Sequence, residues 1–537
     1  MELAEHCYRR LESDRDHYLD RARVAARLTI PYLIPETSEP TAENRQSYAV
    51  PWNGIGARGV LNLASRMLLA LLPPTQQFFR FSLDEGELAK QGVEPQQKSQ
   101  VEEALSKIER LVLREIEASN DRVVFHEALL HLIVSGNALL YVSQEGLRVY
   151  HLNRYVCSRD PMGNPLEVVT CEQLALYQLP KNVQEMCYEE DDELKGILDR
   201  NDITTKGKEK TVKLYTYIYW EGKNVYWHQE INGKIIPGTE GKAPKEVSPW
   251  LPLRMTRIAG ANYGVGYVES AAIADLQTVE ALCQAIAEGS LASSKVLFLV
   301  KPNGVTKAAD LARAPNGAFV TGDPNDVLAL QVQKSADLGV AMQGKQQIEA
   351  RLAQAFMLAD MRDAERVTAE EVRLQALQIE NSLGSIYSIL TTEFQVPYVA
   401  RKLDILTRAG KVPKMDKQLV KPVMTVGLAA VGRGNDLEQL VRFTTTLGQT
   451  MGPDALAQYV RPPELIKRLA YSMGIDILGL VKSEEELMAE MQQQQQMAMA
   501  QQAMQAGMAD PQKLANAAAA AQDMQMAAQQ PPQDQPE

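Results

Sequence analysis

"YVESAAIADLQTVEALCQAIAEGSL", residues 267–291, sets the architecture of this chain. Val268, Ala272, Leu276, Val279, Leu282 and Ile286 recur at the spacing of one helical stripe. A second helical stretch, "SADLGVAMQGKQQIEARLAQAFML" (335–358), follows after a compact segment, 292–332. That segment holds two strand-like runs, "KVLFLV" (295–300) and "GAFVTG" (317–322). Its turns fall at Pro302-Asn303-Gly304 and Pro315-Asn316-Gly317. Two helices of about 24 residues, each about 35 Å long, thus carry a small tip between them. This is a stalk. Its Ala-rich faces cannot bury themselves as a lone pair, so it needs neighbours, and in a symmetric oligomer those are copies of itself.

On the C-terminal side, "ADMRDAER" (359–366) is a polar break. "VTAEEVRLQALQIENSLGSIYSILTTEFQVPYVARKLDILTRAG" (367–410) then reads as one very long helix. Thr368 followed by Glu370-Glu371 is a good start signal for it. On the N-terminal side, helices are predicted over 1–30 and 54–72, the latter stopped by Pro73-Pro74. A charged amphipathic helix over 96–118 aligns Val101, Leu105, Ile108, Val112 and Ile116. Residues 122–142 continue helical, with Gly136-Asn137 as the break. Hairpin signals follow in "LLYVSQEGLRVYHL" (139–152), "YVCSRDPMGNPLEVVTCEQLALY" (155–177) and "TVKLYTYIYWEGKNVYWHQEINGKIIPG" (211–238). A polar, exposed insertion, 188–210, separates them.

The 537 residues are 45% hydrophobic, enough for more than one domain. No apolar run of about 18 residues is present to span a membrane, and the charged N-terminus lacks the apolar middle of a secretion signal. The five cysteines are scattered, with no CxxC pair, which fits reduced thiols. The net charge of -12 excludes a generally basic nucleic-acid clamp.

Three motif-like stretches carry no chemistry. "GVAMQGKQ" (339–346) nearly matches a phosphate loop, but Gln346 replaces the magnesium-binding hydroxyl and no strand feeds it. "HEALLH" (126–131) separates His126 and His131 by five residues, which at about 100° each puts the rings roughly 140° apart. "YGVGYVES" (263–270) lacks the third glycine of a dinucleotide loop. No catalytic residue, metal site or cofactor is expected.

The order helix, tip, helix, loop, long helix resembles the portal proteins of short-tailed, podovirus-type tailed bacteriophages, the ring-shaped head-to-tail connectors. The resemblance covers almost the whole chain. It is carried by "PWNGIGARGVLNLASRMLLALLP" (51–73), "VYHLNRYVCSRDPMGNPLEVVT" (149–170), "PLRMTRIAGANYGVGYVES" (252–270), "IEARLAQAFML" (348–358), "ERVTAEEVRLQALQIENSLGSIYSIL" (365–390) and "GLAAVGRGNDLEQL" (427–440). It implies a mainly α fold with an α+β wing and a small α/β clip, assembled as a dodecameric ring around a central channel. The wing is then 1–260, the stem helices 261–291 and 333–358, and the clip 292–332. The tunnel or valve loop is 359–367, the spine helix 368–409, the crown 410–482, the barrel helix 483–510 and a disordered tail 511–537. The chain departs from the family pattern at Ala261, where an acidic residue is expected, and in a loop about two residues short.

The resemblance further implies genome packaging with the large terminase subunit, head-to-tail connection and DNA ejection. Partners would be other copies of the chain, double-stranded DNA in transit, a tail adaptor, scaffolding and major capsid proteins, and internal core proteins near the barrel. The place would be the capsid portal vertex of the virion, and the host cytoplasm during assembly.

Duplex DNA carries about one negative charge per 1.7 Å, so a 35 Å stem faces roughly 20 phosphates. A continuous basic lining would stall DNA, whereas an acidic wall with sparse bases would not. Each base becomes a ring of charges under cyclic symmetry. The candidates are Arg366 and Arg362 in the loop, with Lys334, Lys345 and Arg351 on the second stem helix. For Arg351 the alternative is an ion pair to an adjacent chain beside Glu349. Lys295, Lys301, Lys307 and Arg313 are nearly balanced by Asp310, Asp323 and Asp326 in the clip, which suits protein docking.

Farther on, "LMAEMQQQQQMAMAQQAMQAGMADPQ" (487–512) places Met497, Met504 and Met508 on one side of a helix. Met488, Met491, Met499 and Ala506 lie opposite. Two apolar sides suit a ring of parallel helices; the alternative is a disordered low-complexity tail. Two other functions remain open at this point. One is an oligomeric scaffold or adaptor without a DNA channel, and the other an ATP-driven translocase.

Overall fold

The computed structural model describes residues 3–35, 48, 50–73, 78–83, 95–190, 211–294, 297–315, 317–330, 335–358, 383–413, 420–424, 441–450 and 465–466. The chain divides into two compact units, Met1–Leu428 and Ala429–Glu537. Among the described residues it is mainly helical with small antiparallel sheets.

In the first unit, helix α1 (Ala4–Leu28) buries Leu19, Ala22 and Ala26, and α2 (Ile55–Leu71) buries Val60, Leu63, Met67 and Leu71. Strand β1 (Phe79–Leu83) precedes α3 (Pro95–Ala118), whose stripe is buried at Leu105, Val112 and Ile116, while Val101 is exposed. Helix α4 (Asp121–Ser135) is buried along most of its length.

The helical reading of 122–142, broken at Gly136-Asn137, holds only up to that break, and beyond it the hairpin reading of 139–152 holds. The helix stops at Ser135, and Asn137–Val142 is strand β2, paired with β3 (Leu147–Tyr150). Gly136 caps the helix at a φ of +78°, and a Cβ there would lie 2.4 Å from the Gly266 nitrogen. Only glycine permits that turn against that neighbour. The Asn137 amide then donates to Gly264 O at 2.8 Å and accepts from Gly264 N at 2.7 Å.

The predicted hairpins form β4 (Tyr155–Arg159) with β5 (Pro165–Ala175), and β6 (Thr211–Glu221) with β7 (Asn224–Ile231) and β8 (Lys234–Ile235). Helix α5 (Lys181–Glu190) sits between them and was not predicted. Strand β9 (Gly241–Pro244) adds to β7, and β10 (Trp250–Arg254) pairs with β2. The first turns of α1 cover the larger sheet, with Cys7, Tyr8 and Leu11 against Val156, Val169, Tyr215 and Tyr217. The rest of 188–210 lies outside the described residues.

A π-turn (Val268–Ala272) leads into α6 (Ile273–Ser294). The tip contains β11 (Leu297–Val300), α7 (Ala308–Arg313) and β12 (Val327–Leu330). Its second strand is not the predicted "GAFVTG" but Val327–Leu330, antiparallel to β11. Gly317 has a φ of +84°, and Phe319 is wholly exposed. Among the described residues that run has no pairing partner to make it a strand. Helix α8 (Ser335–Ala355) closes the stalk.

Residues 383–408 are helical, with a π-turn at Thr391–Gln395 and then α9 (Val396–Arg408). The earlier part of the predicted long helix lies outside the described residues. This segment is the seat of the core. Phe394 stacks on Phe125 with centroids 3.8 Å apart, and buried Lys402 pairs with buried Asp121 at 2.6 Å. Glu393 holds buried Arg254 of β10 at 2.6 Å. Strand β13 (Val420–Met424) returns to pair with β1.

In the second unit, residues 441–450 are helical. The predicted barrel helix, 483–510, and tail, 511–537, lie outside the described residues, as does most of 410–482.

Candidate functional site: a two-helix stalk and its tip

The two stalk helices are antiparallel. Asp275 meets Arg351, Leu282 meets Gly344 and Gly289 meets Leu338, so residue numbers rise on α6 as they fall on α8. On α6 these contacts fall seven residues apart (275, 282, 289), the repeat of a coiled-coil seam. At the upper level glycine lets a leucine approach closely. A Cβ at Gly289 would come within 3.1 Å of Leu338.

Burial is graded along the stalk. Near its base Val268, Leu276, Val279, Ile348, Leu352 and Phe356 are buried. Toward the tip Leu282 and Ile286 are half-buried, while Leu291, Val340 and Met342 are 67%, 72% and 52% exposed. The apolar stripe read from the sequence is real, but one chain covers only its lower part.

The base is held by the stretch before α2. The backbone N–H of Trp52 donates to both oxygens of Glu280, at 2.9 and 3.0 Å. The Asn53 amide donates to Glu349 on the opposite helix at 2.7 Å, and its oxygen accepts from Ile55 N at 2.8 Å. Asn53 therefore binds the first N–H of α2 and the side of α8 together. Asn two residues ahead of a helix signals such a turn; nothing local signals its second bond.

Charge on the stalk is sparse and acidic. Helix α6 carries Asp275, Glu280 and Glu288 and no base, while α8 carries Asp337 and Glu349 against Lys345 and Arg351. Five acids less two bases leave -3. The Arg351 guanidinium binds Asp275 of its own chain at 2.7 Å. Lys345 lies 3.6 Å from Glu349, one turn along α8. Lys334, Arg362 and Arg366 lie outside the described residues.

In the tip, the buried Asp326 carboxylate accepts from Val305 N at 2.9 Å and from Thr306 N at 3.3 Å, with Lys301 3.8 Å away. It ties the Pro302–Gly304 turn to β12. Lys307 and Arg313 are exposed at the ends of α7, and Lys295 lies outside the described residues. Val305 and Leu328 are 83% and 62% exposed, and Phe319 is fully exposed.

Helix α8 runs unbroken through Gly339–Gln346, so those backbone N–H groups are spent within the helix and cradle no phosphate. His131 is buried and stacks on His151 at 5.9 Å, while His126 faces Ser65 at 3.4 Å. The two histidines of "HEALLH" thus point to different neighbours. Among the described residues no cluster of His, Cys, Asp or Glu is placed to hold a metal ion, and no helix is long and apolar enough to cross a membrane.

A helix-and-hairpin body, a stalk helix, a compact tip and a second stalk helix follow one another along the chain, and comparison with known proteins covers nearly all of it. The family described as bacteriophage head to tail connecting protein matches residues 2–478. The chain belongs to this family. It is 39% identical to the portal protein of Escherichia phage T7, over 94% of this chain and 91% of that protein. It is 38% identical to the portal protein of Enterobacteria phage T3, over 90% of this chain and 89% of that one. The portal protein of Pseudomonas phage phiKMV is 29% identical over 90% of this chain.

Proposed function

We propose that this connector is the portal subunit of a short-tailed phage, twelve copies of which close into a ring around a DNA channel at one capsid vertex. The observation that carries the ring is the graded burial of the stalk. Leu291, Val340 and Met342 lie exposed on helices whose lower halves are fully packed. Neighbouring stalks cover such a surface, whereas an isolated one leaves it in water. The acidic balance of the stalk suits a wall that DNA slides past. Family membership and the T7 and T3 relatives support the same reading.

In this reading 1–260 is the wing, α6 and α8 the stem, 292–332 the clip, 359–367 the valve loop, 368–409 the spine, 410–482 the crown and 483–510 the barrel helix. Arg366, Arg362 and Lys334 are the bases left for DNA, with Lys345 and Arg351 partly neutralised by Glu349 and Asp275. The clip, with Lys295, Lys301, Lys307 and Arg313, docks the large terminase subunit during packaging and the tail adaptor afterwards. Scaffolding, capsid and core proteins meet the other faces. The subunit is a virion component that passes through the host cytoplasm, and it does no chemistry of its own. Negative-stain images of purified full-length chain test this. Rings with an axial hole are expected; filaments or compact monomers would favour a scaffold without a channel.

A further inference from the structure

The end of α8 is unusually complete. Helices leave their last carbonyls without intrahelical donors. Here every carbonyl from Leu352 to Met357 is satisfied. Leu352 O accepts from Phe356 N at 2.9 Å, Ala353 O from Leu358 N at 2.8 Å, and Gln354 O from Met357 N at 3.1 Å. The last two bonds form a Schellman motif, with Met357 in the left-handed region at a φ of +52°. That position normally takes glycine.

The remaining three carbonyls are bound by side chains from elsewhere. The Tyr267 hydroxyl donates to Ala355 O at 2.7 Å. The Asn62 amide of α2 donates to both Phe356 O and Met357 O at 3.1 Å, while its oxygen accepts from Arg66 at 3.4 Å. One turn earlier on α2, Gly59 makes room for the buried Phe356 ring; a Cβ there would lie 2.4 Å from it.

We infer that Asn62 and Tyr267 are positioning residues that fix where the chain leaves the second stalk helix, so that wing helix α2 sets the axial level at which the chain enters the 359–367 segment. The inference rests on the channel reading above, because residue 358 directly precedes the 359–367 loop. Its physical core is independent of that reading. The anchor works by donation to a helix C-terminus, which is electronegative.

The test compares Asn62→Asp, Asn62→Ala and Tyr267→Phe in the full-length chain by hydrogen exchange of the 352–358 segment. Asp has the shape of Asn but, ionised, donates nothing and faces the carbonyl end. Asn62→Asp is expected to lower protection of Met357 and Leu358 about tenfold at pH 8, more than Asn62→Ala. At about pH 3.5, below the ordinary Asp value of about 3.9, a protonated carboxyl donates again, so protection returns toward wild type for Asp and not for Ala. Equal protection in Asp and Asn at both pH values would overturn the anchor, since shape alone would then suffice. Heads built with Asn62→Asp rings are expected to retain less than full-length DNA; full-length DNA alongside lost protection would overturn the link to the channel. Wild-type rings without an axial hole would instead overturn the channel reading and leave the anchor standing.

Discussion

Arg351 and Asp275 meet guanidinium to carboxylate at 2.7 Å across the two stalk helices of one chain. A base that sequence reading places among ring-forming charges therefore carries its own counterion. Arg351 is 64% exposed, and such surface pairs contribute no more than about 1 kcal/mol. Arg351→Ala is expected to lower the unfolding free energy in urea by less than that, without a change in slope. Its DNA-retention defect should be smaller than that of Arg366→Ala, because the charge it removes is already balanced. A larger defect would mean the pair opens in the ring.

Arg366→Ala tests the loop directly. Ring assembly should be intact by negative stain, while packaged heads lose DNA or fill poorly. Normal yields of full-length DNA would remove Arg366 from the channel.

The pair of Lys402 with Asp121 is of the opposite kind. Both side chains are buried, and Asp121 also accepts from Tyr398 OH at 2.6 Å and from Leu147 N at 3.1 Å. Lys402→Met strands a buried carboxylate, at a cost of about 3–5 kcal/mol. Denaturant unfolding measures it. Adding Asp121→Asn should recover part of the loss, since no buried charge then lacks a partner.

His131 and His151 predict acid sensitivity. Burial pushes His131 down to about 3, with His151 adding to the effect, and burial pushes His151 down to about 4, helped by Arg154 and Arg15. Unfolded histidine takes its proton near pH 6.5. Between those values the unfolded chain binds more protons, so stability is complete above about pH 6.5 and falls as the pH drops toward 4. Each histidine contributes at most about 1.4 kcal/mol per pH unit. His131→Phe keeps a ring in place without a proton to gain, so its unfolding midpoint should depend less on pH between 6 and 4. An unchanged pH profile would show that other groups govern acid unfolding.

Much of this was legible because helices announce themselves locally. The stripes of α3 and α6 and the hairpin turns at Gly222 and Gly233 are short-range patterns, and they appear where the residues place them. The failures share one cause. Asn137–Val142 fell under both a helical and a hairpin reading, and pairing with Leu147–Tyr150 on one side and Trp250–Arg254, over a hundred residues away, on the other makes it a strand. In the tip, Val327–Leu330 rather than "GAFVTG" pairs with Leu297–Val300. The π-turns at Val268–Ala272 and Thr391–Gln395 left no periodic trace, because an inserted residue shifts a stripe only slightly.

The sequence by itself determined the order of elements, the existence of a stalk with a tip, the acidic balance, and the absence of a phosphate loop at Gly339–Gln346. These depend on periodicity, turn chemistry and composition, all of which act over a few residues. Only the tertiary structure decided which charges are free, which strands pair, and that Asn53, Asn62 and Tyr267 bind the stalk's base. A hydrogen-bond partner hundreds of residues away in the chain is chosen by packing, and packing leaves no local mark.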